Sequence, residues 1–343
     1  MKRTVPKIVC VILVLSAVAA SGSELVDFGE YKVIYQKDCF SGSHGNYDEW
    51  IDNLVKLNKR NKTQEDKQAA RERLHEAMPA ELHEHYKTHL TCNWFSYLVD
   101  GGEVWGYIIK PKQVERELPV IIYNRGGNLD FGGMVFGRMF NELFPYADEG
   151  FIVIGSQYRG TFSKSDDSDF SDQFGGDDVN DVLELLNIIP HIEGADSSKI
   201  TMVGHSRGAI QTLLVLRRTD EVKAVAALAG VYDLEEGLRR RPGMERVFEA
   251  RIPNYSNAKH EELAKRSALL WADELDKSVP VLLVHGQADK RASATHSLNL
   301  AQAFQENSHP YKLVIYPMED HGFRGRRKEV TQLVLDWLNE QLN

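Results

Sequence analysis

The chain has 343 residues, of which 42% are hydrophobic and 27% are charged, and its formal net charge is −9. This length fits one large domain with an extension or two modest domains, and the composition is ordinary for a globular protein. The acidic balance argues against nucleic acid and anionic membrane surfaces as partners.

The N-terminal segment 1–22 has the pattern of a secretory signal peptide. Three basic residues precede an unbroken apolar run over 8–15, and small residues follow at 16–21. The apolar run is short for a bilayer span, although an uncleaved anchor is the alternative. The segment predicts a secreted or periplasmic protein without a stable membrane anchor. Its removal takes away three positive charges and no acid, which lowers the net charge from −9 to −12.

Residues 23–90 are predicted to form a polar, helical extension. One amphipathic helix is indicated by four apolar residues at helical spacing, Tyr47, Trp50, Ile51 and Leu54. Their aromatic side chains are expected to pack onto the main domain, and a second, charged helix is predicted over 64–78. Cys39 in this extension and Cys92 beyond it can pair in an oxidising compartment. The sequence leaves open whether they approach each other.

Residues 91–343 show apolar strands that alternate with helical patterns. The predicted strands cover 95–99, 104–109, 118–123, 151–154, 200–203, 222–228, 279–284 and 311–316. A turn at 100–102 joins the first two as an antiparallel hairpin, and 232–277 is predicted to be a helical insertion. Such alternation predicts an α/β fold, a mainly parallel sheet with helices on both faces. An active site is then expected at the carboxyl ends of the strands.

The pentapeptide Gly204-His205-Ser206-Arg207-Gly208 lies between a predicted strand and a predicted helix. A strand, a G-x-S-x-G sequence and a helix in that order indicate a nucleophile elbow, in which the serine hydroxyl stands out from a tight turn. Small residues are needed where the turn would crowd side chains, which explains Gly204 and Gly208. A plain glycine-rich connector is the alternative interpretation. Ser206 is thus the predicted nucleophile.

A serine hydroxyl needs a base to take its proton, and the base needs an acid to hold its tautomer. In this architecture the chain order is serine, acid, histidine. Asp289 and His321 each follow the end of a predicted strand, and they are the predicted acid and base. Asp320 or Glu319 is the alternative acid. His205 and His285 are interpreted as structural or as neighbours of the site.

An oxyanion hole needs two hydrogen-bond donors. One is expected to be the backbone N–H of Arg207, the residue after the nucleophile. The other is expected in the loop around Arg125 and Gly126, where glycines let the backbone approach the substrate carbonyl; an ordinary turn is the alternative. Farther along the chain, Asp177 and Asp178 are predicted to be helix caps.

No cofactor and no metal are predicted. Four histidines of the first part of the chain have only weak metal-site spacing, His75, His83, His85 and His89.

The chain resembles the catalytic domain of the prolyl oligopeptidase-like serine peptidases, which have the α/β-hydrolase fold. The resemblance runs from about residue 95 to the C-terminus. It depends on the order and spacing of SYLVDGGEVWGYIIKP, PVIIYNRGG, SQYRG with DQFGGDDVNDV, GHSRG, HGQAD and EDHGF. It implies that Ser206, Asp289 and His321 are nucleophile, acid and base, on a catalytic domain spanning 91–343.

Two departures from the family pattern affect the expected substrate. The extension at 23–90 is far too short to be the β-propeller that usually precedes the catalytic domain in this family. Many members also place a tyrosine hydroxyl in the oxyanion hole, at the position that Arg125 occupies here. Arg125 is expected to replace that donor, to bind a substrate carboxylate or to be structural.

The sequence therefore predicts a secreted or periplasmic serine hydrolase that cleaves small peptides or esters through an acyl-enzyme. A carboxylesterase on the same fold is the main alternative, because elbow and triad are identical for both. A non-catalytic binding protein on the hydrolase scaffold is a third, less favoured by the presence of all three triad residues.

Overall fold

A computed structural model of the chain describes residues 25–162 and 170–343. The predicted signal peptide at 1–22 lies outside these residues. The strands are β1 (Tyr35–Asp38), β2 (Leu90–Val99), β3 (Gly102–Pro111), β4 (Leu118–Asn124), β5 (Ile152–Ser156), β6 (Ala195–His205), β7 (Val222–Leu228), β8 (Val281–Gly286) and β9 (Tyr311–Tyr316). They form one sheet in the order β1-β2-β3-β5-β4-β6-β7-β8-β9.

The sheet is antiparallel at one edge and parallel elsewhere. β1 pairs with β2, β2 with β3 and β3 with β5 in antiparallel registers. The remaining five pairings, from β5 to β9, are parallel. The parallel strands therefore bring their carboxyl ends to one edge of the sheet, with β6 near its centre.

Helices cover both faces of the sheet. They are α1 (Tyr47–Leu57), α2 (Gln64–Ala77), α3 (Ala80–His89), α4 (Phe136–Glu142), α5 (Phe144–Asp148), α6 (Asp178–Ile188), α7 (Arg207–Leu216), α8 (Leu234–Arg240), α9 (Glu245–Arg251), α10 (Tyr255–Lys265), α11 (Thr295–Glu306) and α12 (Arg327–Leu342). The α/β class predicted from the sequence is confirmed, and the 232–277 insertion is helical as predicted.

Alternation along the central strands divides the apolar core in two. Val120 and Ile122 of β4 face one cluster, which includes apolar residues of α6, α7 and α11. Ile121 and Tyr123 face the other, to which α4, α5 and α12 contribute. Successive side chains of a strand point to opposite faces, so an apolar run such as β4 is stable only when both faces are covered.

The N-terminal extension is joined to the sheet by a strand, a disulfide and aromatic packing. Its strand β1 lies at the sheet edge against β2, which the sequence analysis did not predict. Cys39, directly after β1, forms a disulfide with Cys92 of β2, with the Cα atoms 5.3 Å apart. The ring of Trp50 packs against Phe136 of α4 at a centroid distance of 4.9 Å. The predicted packing of α1, the helix that carries Trp50, onto the main domain is confirmed.

Among residues 25–162 and 170–343, no helix combines the length and the apolar composition that crossing a bilayer requires.

Candidate active site

The segment from β6 to α7 forms the predicted elbow. Ser206 has φ 59° and ψ −121°, a backbone conformation that is costly for a residue with a Cβ and that recurs at functional sites. A Cβ on Gly204 would collide with the carbonyl oxygen of Gly208, and one on Gly208 would collide with the carbonyl oxygen of Asn124. The flanking glycines are therefore required by the closeness of the helix to the two strands.

The three predicted triad side chains form one hydrogen-bonded chain. His321 Nε2 lies 2.9 Å from Ser206 Oγ, and His321 Nδ1 lies 2.6 Å from Asp289 Oδ2. Ser206 follows β6, Asp289 follows β8 and His321 follows β9, so all three stand at the carboxyl edge of the sheet. In this arrangement the imidazole can take a proton from the serine hydroxyl while the carboxylate accepts the hydrogen bond of the other ring nitrogen.

The carboxylate of Asp289 is fixed on several sides. Its Oδ1 accepts hydrogen bonds from the amides of Arg291 and Ala292, over 2.7 and 3.0 Å. Its Oδ2 faces His321 and lies 3.3 Å from His285 Nε2. Burial alone would raise the pKa of Asp289, but the hydrogen bonds from His285 and His321 lower it well below its usual value. The carboxylate is therefore ionised at neutral pH.

The alternative acids make other contacts. Asp320 Oδ1 accepts from the amide of Gly322 over 2.9 Å, and Glu319 Oε2 accepts from the amide of Gly325 over 3.2 Å. Both carboxylates thus stabilise the turn that carries His321 rather than its imidazole ring.

His205 and His285 support the site from outside the chain of three. His285 is fully buried, and its ring nitrogens lie 2.7 Å from Ser297 Oγ and 2.9 Å from the carbonyl oxygen of Ala292. His205 bonds through Nε2 to the carbonyl oxygen of His321. These contacts agree with the structural interpretation of the two histidines made from the sequence.

The residues proposed to supply the two amide donors, Arg207 and Gly126, both lie next to Ser206. Arg207 is the first residue of α7, so its N–H has no acceptor inside the helix. A Cβ built on Gly126 would lie 3.0 Å from Ser206 Cβ and 3.0 Å from the carbonyl oxygen of His205, which shows how closely this glycine approaches the elbow. Within the described residues the Gly126 amide donates to no acceptor. Both residues are thus close to the serine, and their role as oxyanion donors stays a prediction.

The side chain of Arg125 does not reach toward a substrate, which corrects two of the three roles considered from the sequence. It is fully buried, and its guanidinium donates to the carbonyl oxygens of Gln157 (3.0 Å), Gly126 (3.0 Å) and Leu129 (2.8 Å). It also donates to Thr161 Oγ1 over 2.8 Å. These bonds join the guanidinium to the loop after β4 and to the segment after β5, so the structural role remains for Arg125.

A buried ion-pair cluster around Arg207 was missed from the sequence. The guanidinium contacts carboxylate oxygens of Asp172 and Asp178, all with side chains at most 3% exposed. Asp177 and Asp178 were predicted as helix caps, but Asp177 at the N-cap position makes no side-chain cap bond, and Asp178 accepts from the amides of Gly175 and Gly176 before α6, each over 3.0 Å. One feature of the sequence indicates this cluster: Arg207 is the first residue of an apolar helix. An arginine buried at that position needs carboxylate partners.

Comparison with known proteins agrees with this geometry. The family model described as "Prolyl oligopeptidase family" matches residues 138–343. The chain belongs to the prolyl oligopeptidase family. It is thus an enzyme of the serine-peptidase type, and the α/β-hydrolase fold expected from the resemblance is confirmed.

Relatives in the family differ in how much of their length the chain matches. It is 25% identical to the uncharacterized peptidase YtmA of Bacillus subtilis, over 75% of this chain and 95% of the relative. It is 26% identical to dipeptidyl-peptidase 5 of Porphyromonas gingivalis, over 65% of this chain but only 33% of that protein. A solved acylaminoacyl peptidase of Pyrococcus horikoshii has a TM-score of 0.63 at 22% identity, covering 76% of this chain and 43% of that one. The chain therefore spans less than half of the length of these two longer proteins.

In the part of the chain that the structure describes, no group of three or more histidine, cysteine, aspartate or glutamate side chains is arranged to hold a metal ion. The arrangement at Ser206 joins a serine hydroxyl, an imidazole and a carboxylate in one hydrogen-bonded chain, which is the geometry that acyl transfer to a serine requires.

Proposed function

We propose that the chain is a secreted or periplasmic serine peptidase that cleaves short peptides through an acyl-enzyme on Ser206. The observation that carries this proposal is the continuous hydrogen-bonded chain from Ser206 through His321 to Asp289 in a member of a peptidase family.

In the proposed first step, His321 Nε2 takes the proton of Ser206 while Oγ attacks the carbonyl carbon of the scissile bond. The amides of Arg207 and Gly126 donate to the oxygen that becomes negative. His321 then gives its proton to the leaving amine, and the acyl-enzyme remains. Asp289 stays ionised throughout and stabilises the imidazolium. In the second half of the reaction, His321 takes a proton from a water molecule, which attacks the acyl carbon. The ester bond to Ser206 then breaks, His321 returns the proton to Oγ, and the acid product leaves.

The named relatives guide the choice of substrate. They include dipeptidyl-peptidase 5 and an acylamino-acid-releasing enzyme from Homo sapiens. Short peptides with a free or acylated amino terminus are therefore the first substrates to test.

The disulfide between Cys39 and Cys92 supports an oxidising compartment, because such bonds persist there and are rare in the cytosol. It thus supports the export that the 1–22 segment predicts.

A labelling and substrate panel tests the proposal. We expect a fluorophosphonate probe to label the wild type and not Ser206→Ala, and aminoacyl anilides to be hydrolysed at rates lost in the same variant. Hydrolysis of short-chain aryl esters without any anilide or peptide hydrolysis would replace the peptidase with the carboxylesterase. A folded wild type without labelling or turnover would support a binding protein instead.

A further inference from the structure

The loop after β4 carries Gly126, and its carbonyl oxygens accept hydrogen bonds from three arginines, one in the loop itself and two at the starts of other elements. Arg125 donates to the carbonyl oxygens of Gly126 and Leu129. Arg138 of α4 donates to that of Gly132, and its own guanidinium is paired with Glu142 over 2.7 Å. The loop has little regular structure of its own, so these bonds fix the position of the Gly126 amide.

The third arginine of this set is Arg207, whose own amide is the other proposed oxyanion donor. Its NH1 donates to the carbonyl oxygen of Gly127 over 3.1 Å and to Asp172 Oδ2 over 2.6 Å. The same Asp172 oxygen accepts from the amide of Leu129 over 2.8 Å. One side chain, with its carboxylate partner, thus holds the Gly126–Leu129 loop from two sides.

The guanidinium of Arg207 has little freedom to leave this position. Its central carbon lies 4.6 Å from the ring centroid of Tyr158 and 4.9 Å from that of Phe174. Its NH2 pairs with Asp178 at the start of α6. Phe174 is anchored in turn, because its carbonyl oxygen accepts from Arg266 Nε over 3.1 Å. The cation thus contacts two aromatic rings and pairs with a carboxylate through each of its terminal nitrogens, whereas its Nε has no hydrogen-bond partner among the described residues.

We infer that the side chain of Arg207 is a positioning residue that fixes the distance between the two oxyanion donors, its own amide and the amide of Gly126. This inference rests on the proposed function. Backbone donors contribute to rate only when they are aimed at the oxygen of the transition state, and misplacement by about 1 Å can cost on the order of 100-fold in rate. Arg207 supplies one donor through its backbone and binds the loop of the other through its side chain. It therefore fixes the position of the two donors relative to each other.

The side chain can be altered without removing the amide, which makes the inference testable. Arg207→Lys keeps a positive charge to pair with Asp172 and Asp178. A single ammonium group lacks the planar guanidinium geometry, so it cannot also donate to the carbonyl oxygen of Gly127. Because two buried carboxylates can unfold a neutral variant, the second variant is the double substitution Arg207→Met with Asp178→Asn. The matched control is Arg159→Lys, whose buried guanidinium pairs with Asp181 at 2.7 Å and with Asp100 at 2.8 Å instead of with the loop.

We measure kcat and KM on an aminoacyl anilide. The number of active sites is the number that a fluorophosphonate labels at completion, and kcat is expressed per active site. The Kd of a peptidyl boronic acid is measured on the same proteins. For Arg207→Lys and for the double variant we expect kcat to fall about 10- to 100-fold, KM to change less than about twofold, and the boronic acid to bind weaker by a similar factor. Arg159→Lys is expected to keep kcat within about threefold.

Two results would overturn the inference. One is a loss of kcat in the Arg207 variants no larger than in Arg159→Lys, and the other is a loss confined to KM. Failure of the proposed function gives a different signal, because Ser206→Ala would then retain the wild-type turnover of the same anilide.

Discussion

The imidazole of His205 donates a hydrogen bond from Nε2 to the backbone carbonyl oxygen of His321, over 2.8 Å. The residue before the proposed nucleophile thereby holds the loop that carries the proposed base, and the ring centroids of the two histidines are 5.0 Å apart. Desolvation lowers the pKa of His205 to about 4, so the ring is neutral at pH 7. The neutral ring must carry its proton on Nε2 to make this bond.

A first prediction concerns this bond. His205→Gln keeps a donor near the position of Nε2, whereas His205→Leu removes it and leaves the carbonyl oxygen of His321 unpaired. We expect kcat of the leucine variant to fall about tenfold, the equivalent of roughly 1.4 kcal/mol, and that of the glutamine variant to stay within about threefold. Steady-state kinetics on an aminoacyl anilide measures both. Equal losses in the two variants would contradict a role for the hydrogen bond.

The depressed pKa of His205 also predicts a loss of stability in acid. Above pH 6.5 the ring is neutral in both the folded and the unfolded protein and contributes no pH dependence. Between pH 6.5 and about 4 the unfolded chain takes up a proton at this site and the folded protein does not. The free energy of unfolding therefore decreases as the pH falls through this window, by roughly 3 kcal/mol at full extent.

Urea unfolding at pH 7 and pH 4.5 measures this effect. Other histidines with lowered pKa values add to the acid loss of the wild type, as His44 and His309 do, so the comparison is made with His205→Gln. We expect the variant to lose less of its free energy of unfolding than the wild type between the two pH values. The same loss in both proteins would show that His205 does not titrate in this way.

The assignment of the acid is tested by two isosteric substitutions. Asp289→Asn leaves the imidazole of His321 without a carboxylate and favours the wrong tautomer, so kcat is expected to fall about 10³- to 10⁴-fold. Asp320→Asn is the matched control, since its remaining oxygen can still accept from the amide of Gly322. It is expected to keep kcat within about threefold. A larger loss of kcat in Asp320→Asn than in Asp289→Asn would identify Asp320, and not Asp289, as the acid of the triad.

The close approach of Gly126 to Ser206 gives a further prediction. An alanine here places its Cβ 3.0 Å from Ser206 Cβ and from the carbonyl oxygen of His205, so the loop must shift by a few tenths of an ångström and its amide moves relative to the elbow. We expect kcat to fall about 10- to 100-fold. Gly137→Ala is the control, because its Cβ meets its nearest neighbour at 3.7 Å and alanine suits a helix better, by about 0.5–1 kcal/mol. Retained activity in Gly126→Ala would contradict this prediction, because it would show that the added Cβ does not displace the amide.

The disulfide is predicted to stabilise the fold without serving the chemistry. Cys39 and Cys92 are both 1% exposed and lie at the antiparallel edge of the sheet, and they close a loop with a sequence separation of 53 residues. The double variant Cys39→Ser, Cys92→Ser is expected to lose about 3–4 kcal/mol of unfolding free energy with kcat unchanged at 25 °C. Urea unfolding and kinetics on the folded fraction measure both. An unchanged stability would contradict this role.

Sequence patterns predicted the elements that depend on local or repetitive signals. Apolar runs such as β4 identify buried strands. The elbow combines a strand, two glycines and a helix within a dozen residues. Asp289 and His321 follow from chain order, because the ends of successive parallel strands meet at one edge of the sheet. The structure brings these two side chains to Ser206 in the order that the sequence predicts.

Other features depend on partners distant in the sequence and carry no such signal. Strand β1 is the polar segment Tyr35–Asp38 with alternating half-exposed side chains, and only its pairing with β2 makes it a strand. The bonds of Arg125 join it to Gln157, 32 residues away. The bond from Arg207 to Asp172 spans 35 residues. Buried charges of this kind are determined by where the loops meet, which periodicity does not encode.

The central claim is that a peptide acyl group is transferred to Ser206. The most direct test is rapid mixing with an aminoacyl aryl ester, acid quench, and intact-mass and peptide-mapping mass spectrometry, for the wild type and for Ser206→Ala. We expect an adduct of the acyl mass on the peptide containing Ser206 in the wild type, and neither adduct nor turnover in the variant. An adduct on another residue, or undiminished turnover in Ser206→Ala, would contradict the claim.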